Sequence, residues 1–446
     1  MASFDLLLKG GTVVSHAGTE VADIGVRGGR IAAIGQLATA AAEEVIDCSG
    51  LHVLPGVIDT QVHFREPGLE AKEDLESGSR AAVMGGVTAV FEMPNTSPAT
   101  TSRQAIEDKL ARARGRMHCD FAFYVGATAE NARQLGALER LPGVCGVKVF
   151  MGSSTGDLLV ATDEDVAEVL ANINRRAAFH SEDEERLRER AGERRPGDAR
   201  SHPAWRDEET ALRSTERLLR LARAAGKRIH VLHVSTAAEL PLLAGARDFA
   251  SVEVTPHHLT LAAPQCYEHL GTYAQMNPPV RSARHREALW EALRQGLVDV
   301  LGSDHAPHLR AEKDRPYPES PSGMTGVQTL VPVMLDHVNA GRLSLQRFVD
   351  LVCEGPHRLF QIAGKGRIAL GYDADFTIVD MAARRTIENR WIASKAGWTP
   401  YDGMSVTGWP KGTIIRGSRV MWEDELTSEG GGWPLRFMET LQADRK

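Results

Sequence analysis

Eight short apolar runs recur through the middle of this chain, at 53–58, 87–93, 121–125, 144–150, 177–179, 229–232, 251–254 and 298–301. Between them lie longer stretches with helical spacing, among them 105–114, 163–174, 208–225 and 283–295. The short runs are rich in Val and Ile, which suits strands. A strand followed by a helix, repeated in this way, predicts an α/β fold of the TIM type, a (β/α)8 barrel. A doubly wound open sheet is the competing architecture.

The two ends read differently. Runs at 6–8, 24–26 and 31–34 are punctuated by Gly10-Gly11, Gly28-Gly29 and Gly35, which is hairpin chemistry. The segments 375–380 and 413–417 repeat the style. One small β domain built from residues 1–52 and 363–446 is therefore expected beside a barrel at 53–362. The stretch 181–213 is crowded with charge and reads as a solvated loop and helix face. The segment 308–323, with Pro316, Pro318 and Pro321, reads as a long loop that would lie over the C-terminal face of a barrel and serve as a lid.

Bulk properties exclude several classes. A chain of 446 residues with 42% hydrophobic and 25% charged residues is an ordinary globular composition. Its net charge of -7 supplies no general basic field for nucleic acid or an anionic membrane. No stretch approaches the ~20 apolar residues of a membrane span. Met1-Ala2-Ser3-Phe4-Asp5 lacks the basic-then-apolar order of a secretory signal. Cys48, Cys119, Cys145, Cys266 and Cys353 are scattered without a CxxC pair, so a reducing cytoplasm is expected and a disulfide framework is not.

The chemistry sits where the apolar runs stop. The first run leads into Asp59, Gln61, His63 and Arg65; the second into Asn95; the fourth carries Lys148; the fifth leads into His180, the sixth into His233, and the eighth into Ser303-Asp304-His305. Each residue alone has a structural explanation: Lys148 can snorkel, Asp304 can cap a turn, and Asn95 after Pro94 can be turn chemistry. In a parallel barrel, however, all those ends share the face on which active sites form. Imidazoles together with an anionic bridge suit zinc or a similar divalent ion. Protonated Lys148 is the odd member of such a set.

These motifs resemble those of the dihydroorotases, in the amidohydrolase superfamily. Pro55-Gly56-Val57-Ile58-Asp59 followed by Gln61-Val62-His63-Phe64-Arg65-Glu66-Pro67-Gly68 is similar to the family's first-strand signature, and Met93-Pro94-Asn95-Thr96 to its second-strand motif. Gly146-Val147-Lys148-Val149-Phe150-Met151 resembles the strand whose lysine is carbamylated in related hydantoinases and many dihydroorotases. His180-Ser181-Glu182-Asp183, His233-Val234-Ser235, Thr255-Pro256-His257-His258, Asn277-Pro278-Pro279 and Ser303-Asp304-His305-Ala306-Pro307-His308 follow in the family's order. The resemblance implies a barrel flanked by a β-sandwich of both chain ends, and reversible interconversion of N-carbamoyl-L-aspartate and L-dihydroorotate in pyrimidine synthesis. It implies that His180, His233 and carbamylated Lys148 hold one metal and that His63 and Asp304 belong to a second. Arg65 and Asn95 would bind the substrate carboxylate, and Asn277, His308, Ser322 and Gly323 would surround the ring. Asp304 would take a proton from water and return it to the leaving nitrogen. Glu182 and Asp183 are weaker alternatives for that work.

The chain departs from the family at one point. Members usually carry His-x-His at the end of the first strand, and here the first of the pair is Gln61. A neutral amide oxygen is a poor substitute for imidazole on zinc. One firmly held zinc and a weak or missing second are therefore expected. Two rival functions follow: another cyclic amidohydrolase, such as a hydantoinase or allantoinase, or a silent subunit partnering aspartate transcarbamoylase. The expected partners are a small anionic substrate and a second copy of the chain in a symmetric dimer.

Overall fold

The structure, a computed structural model, describes residues 4–37, 39–154, 156, 158–427 and 431–441. Its centre is an eight-stranded sheet of Val57–Val62, Val87–Glu92, Asp120–Gly126, Val144–Phe150, Ala177–His180, Ile229–Val231, Ala250–Val254 and Val300–Leu301. Neighbours pair in parallel and in sequence order. The sheet curls until its first and last strands meet. Val62 bridges His305 in parallel, His63 N donates to His305 O at 2.7 Å, and Ser303 N donates to the Asp59 carboxylate at 2.9 Å. That closure excludes the open doubly wound sheet.

The helices between the strands carry the caps their sequences advertise. Ser102 caps Arg103–Ala113 by accepting from Ala105 N, and Asp207 caps Glu208–Ala225 by accepting from Thr210 N. Glu208–Ala225 ends at Gly226 in the left-handed conformation. It buries Ala211, Leu218, Leu219 and Ala222 on one face. Each such leucine contributes about 1.5–3 kcal/mol of transfer free energy.

Both chain ends join one nine-stranded sheet. Phe4–Ser15 pairs antiparallel with Gly18–Arg27 and parallel with His52–Pro55, and His52–Pro55 pairs antiparallel with Phe376–Thr386. Leu6, Ile24, Val26, Ile46, Phe376 and Ile414 form its separate core. The apolar run 53–58 is therefore two strands, one in each sheet, broken at Gly56. A side chain there would meet Thr88 Oγ1 at 2.3 Å. Gly10-Gly11 also differs from its hairpin reading. The pair lies inside Phe4–Ser15, where the register shifts between Leu8 and Gly11; Gly10 has φ 69° and its N–H donates to Asp23 Oδ1 at 2.8 Å. It is a bulge rather than a turn.

Two loops differ from their simple readings. In 181–213, Glu182, His202 and Arg206 are buried: Arg206 pairs with Glu182, and His202 Nε2 lies 3.0 Å from Met276 O. The segment 308–323 does cover the strand ends, but it is fastened. Lys313 is buried and donates to Pro321 O at 2.8 Å; Gly197 N donates to Tyr317 O at 2.7 Å and Gly323 N to Gln275 O at 2.8 Å. All five cysteines are reduced and buried, and no described helix is long and apolar enough to cross a membrane.

Candidate active site

At the C-terminal ends of the barrel strands lies a small, partly open cavity. Gln61, His63, Arg65, Asn95, Lys148, His180, His233, Asn277, Asp304, Ser322 and Gly323 all line it. His308 stands behind this wall, its Nε2 3.3 Å from an Arg65 guanidinium nitrogen. Three of these residues hold left-handed backbone: Arg65 at φ 66°, His233 at φ 37° and Asp304 at φ 50°. Such conformations cost on the order of 1–3 kcal/mol each and cluster where side chains must be aimed.

His180 and His233 form the first convergent pair. His180 Nε2 lies 2.9 Å from a carboxylate oxygen of Glu182, so it carries the proton. The lone pair of His180 Nδ1 then faces His233 Nε2 at 3.1 Å. A proton on His233 Nε2 would bridge the two, but His233 Nδ1 is buried with no partner among the described residues. Two imidazole nitrogens converging in this way fit a divalent cation. Burial, with help from His180 and Lys148, holds the His233 imidazolium well below its ordinary pKa, which keeps a neutral ligand.

Lys148 lies beside them, its ammonium 4.4 Å from the Phe150 ring centroid. Burial lowers its pKa, against the opposing pull of Asp304 and Glu253. A neutral amine in this position can accept CO2. Among the described residues no three His, Cys, Asp or Glu side chains surround one point. The physical reason is that Gln61 and Lys148 occupy two of the convergent positions.

His63 and Asp304 form the second pair. His63 Nδ1 is 2.7 Å from Asn95 Oδ1, and its Nε2 is 3.2 Å from Asp304 Oδ1. Gln61 Nε2 donates to the same Asp304 oxygen at 2.9 Å, while Gln61 Oε1 is buried with no partner among the described residues. The amide thus supplies Asp304 with a neutral donor. The segment that carries Asn95 is braced from below by Lys109, which pairs with Glu92 in the core and donates to Met93 O at 3.2 Å and Thr100 Oγ1 at 3.3 Å. Asn277 is held by His202 Nε2 at 3.1 Å and donates to Ser154 Oγ at 3.3 Å.

Glu182 was the residue hardest to place from sequence. It does not itself line the cavity, yet it fixes the His180 tautomer and receives Arg206, whose terminal nitrogen lies 2.6 Å away. Burial alone would raise the Glu182 carboxyl; Arg206 and His180 outweigh it and hold the group well below the carboxylate range. Adjacent His180-Ser181-Glu182 was the available signal, obscured by the charge around it. A divalent ion held by His180 would be bound roughly 10–100-fold more weakly in Glu182→Gln, which loosens the orientation and basicity of that imidazole. Competition against a chelator reads this directly, and unaltered affinity would remove Glu182 from the metal's support.

The amidohydrolase family model matches residues 52–420. The chain is 38% identical over 419 residues to a dihydroorotase from Halobacterium salinarum, covering 93% of this chain and 97% of the relative. It is 35% identical over 435 residues to an allantoinase from Escherichia coli, covering 94% and 95%. The solved structure of an L-hydantoinase (dihydropyrimidinase) from Arthrobacter aurescens superposes with a TM-score of 0.92 at 32% identity, covering 96% of this chain and 99% of that one.

Proposed function

Because the chain belongs to the amidohydrolase family, we propose that it is a dihydroorotase, hydrolysing the ring amide of L-dihydroorotate to N-carbamoyl-L-aspartate and catalysing the reverse closure. The observation that carries this reading is Arg65. Its side chain is 1% exposed, lines the same cavity as Lys148 and Asp304, and makes no ion pair among the described residues. Burial pulls its pKa down only to about 10, so it stays charged at neutral pH. A buried guanidinium with no carboxylate in direct contact, only Asp304 and other acids at longer range, calls for an anion, and its fork matches a carboxylate. Neutral hydantoin and allantoin rings offer none.

The chain's own groups then divide the work. Arg65 and Asn95 grip the carboxylate, while Asn277 and the Ser322-Gly323 backbone border the ring. Asp304 takes a proton from the attacking water as its oxygen bonds to the ring carbonyl carbon. As the carbon–nitrogen bond breaks, Asp304 returns that proton to the nitrogen, so no net charge is left on the enzyme. His180 Nδ1, His233 Nε2 and Lys148 would hold a zinc ion, with Lys148 as a carbamate formed when its neutral amine bonds to CO2 and loses a proton. Zinc so held would supply an acidified water and polarise the carbonyl oxygen. The carbamate also removes a positive charge from among the ligands. A reducing cytoplasm suits five buried thiols.

His63 and Asp304 would belong to a second ion, but Gln61 replaces an imidazole there. Zinc-loaded protein should therefore hold about one ion per chain, and Gln61→His should raise that to about two. Elemental analysis after desalting measures both; an unchanged count in the variant would refute the role given to Gln61. The activity itself is tested by supplying the zinc-loaded enzyme with dihydroorotate, hydantoin and allantoin in parallel. Turnover of dihydroorotate supports the reading. Turnover of only a neutral ring would replace it with a hydantoinase or allantoinase, and no turnover by fully loaded protein would replace it with a silent partner subunit.

A further inference from the structure

Behind the cavity wall, His308 and Lys72 stand against Arg65, and Lys72 has no part in the chemistry above. His308 is completely buried and meets three groups. Its Nδ1 lies 3.2 Å from Lys72 Nζ, and its Nε2 lies 3.0 Å from Ser322 O and 3.3 Å from an Arg65 guanidinium nitrogen. Lys and Arg only donate, and a carbonyl only accepts. A doubly protonated ring would press an N–H against Lys72, and burial beside Arg65 and Lys72 holds the imidazolium pKa well below its usual value. The ring is therefore neutral, and one nitrogen must accept.

The two tautomers are not equivalent. With the proton on Nε2, the ring accepts from Lys72 and donates to Ser322 O, and both contacts are satisfied. With the proton on Nδ1, the ring accepts only from Arg65, loses Ser322 O, and turns an N–H toward an ammonium. Glu312 does not rescue that arrangement, since its carboxylate is 3.8 Å from Nδ1 and is engaged by Lys72 at 2.9 Å and by Leu309 N at 3.0 Å. The first tautomer has a further consequence. An Nε2 that donates cannot accept from Arg65, so the guanidinium nitrogen 3.3 Å away finds no acceptor on the ring and keeps its hydrogens for another partner.

We propose that Lys72 is a positioning residue for the substrate's carboxylate: it fixes His308 as the Nε2–H tautomer, which ties down the Ser322-Gly323 backbone and reserves Arg65 for the incoming anion. Gly323 is built for this contact. It has φ 146°, and a Cβ there would fall 2.4 Å from Ala306 O and 2.9 Å from the His308 ring. The backbone can approach the imidazole only because no side chain intervenes. Lys72 itself belongs to the segment that follows Arg65, so one stretch of chain supplies both the anion's ligand and the residue that prepares it.

The substrate in this proposal rests on the dihydroorotase reading; the tautomer does not. Protein labelled with 15N-histidine should show His308 with a protonated Nε2 and an unprotonated Nδ1, assigned by the signals lost in His308→Gln. A protonated Nδ1 in the unmodified protein would overturn the proposal without any variant. In zinc-loaded Lys72→Met the tautomer preference should collapse, and KM for dihydroorotate should rise roughly tenfold while kcat stays within about twofold. Lys72→Arg, which keeps a donor, should recover most of the loss. An unchanged KM, or a fall in kcat with KM intact, would overturn the proposal. If the unmodified enzyme does not turn over dihydroorotate at all, the functional reading fails, and the 15N spectrum still decides the role of Lys72.

Discussion

Replacing Lys148 with alanine should cost on the order of a thousandfold or more in turnover and most of the bound zinc. Among the described residues, the substitution leaves His180 and His233 as the imidazole donors on their side of the cavity. Two imidazoles fall short of the three protein ligands of a catalytic zinc site. The buried position of Lys148 makes its amine neutral enough to capture CO2, so the same dependence should appear without mutation. Metal-free enzyme given zinc in CO2-depleted buffer should stay inactive until bicarbonate is added. Elemental analysis and initial rates measure both effects. A Lys148→Ala protein that keeps its zinc and stays within tenfold of full activity would remove the carbamate from the site.

Asp304→Asn should lower kcat by roughly 10²–10⁴-fold while leaving KM nearly unchanged. The amide keeps the shape and one oxygen, so Gln61 Nε2 can still donate to it. What disappears is the capacity to accept a proton from water and pass it to nitrogen. Zinc content separates this variant from Lys148→Ala, since His180, His233 and Lys148 are untouched. A kcat within tenfold of the original would assign the proton transfer to another group.

The barrel was legible because its strands alternate with capped helices and end in polar residues of distinctive type. His63, Arg65, Lys148, His180, His233 and Asp304 could be singled out because each lies within an apolar run or shortly after its end. Their convergence needed only the parallel topology. Gln61 was visible as a missing imidazole, but its bond to Asp304, 243 positions away, was not. Glu182 and Arg206 were hidden for a similar reason. Their burial depends on pairing across 24 positions within a stretch whose composition looks solvated. Lys72 carried no signal, since its role comes from a contact 236 residues distant. Local pattern likewise could not distinguish a bulge from a turn at Gly10-Gly11, because the pairing partner at Asp23 decides it. The segment 308–323 read as a lid, and its ties to the rest of the fold, from Gly197 N to Tyr317 O and from Gly323 N to Gln275 O, carry no local signal.

The sheet shared by the two chain ends has a consequence for how the protein is made. Val53 pairs with Ile378, so His52–Pro55 emerges from the ribosome long before its antiparallel neighbour exists. Throughout that interval one side of the strand offers unpaired backbone groups, the template on which aggregation begins. The barrel cannot shield it, because the barrel's own closing contact, Val62 with His305, also comes late. Contacts of such long sequence separation form slowly. Production should therefore be limited by events during synthesis rather than by the stability of the finished fold, and slower growth at lower temperature or chaperone supply should raise the soluble yield.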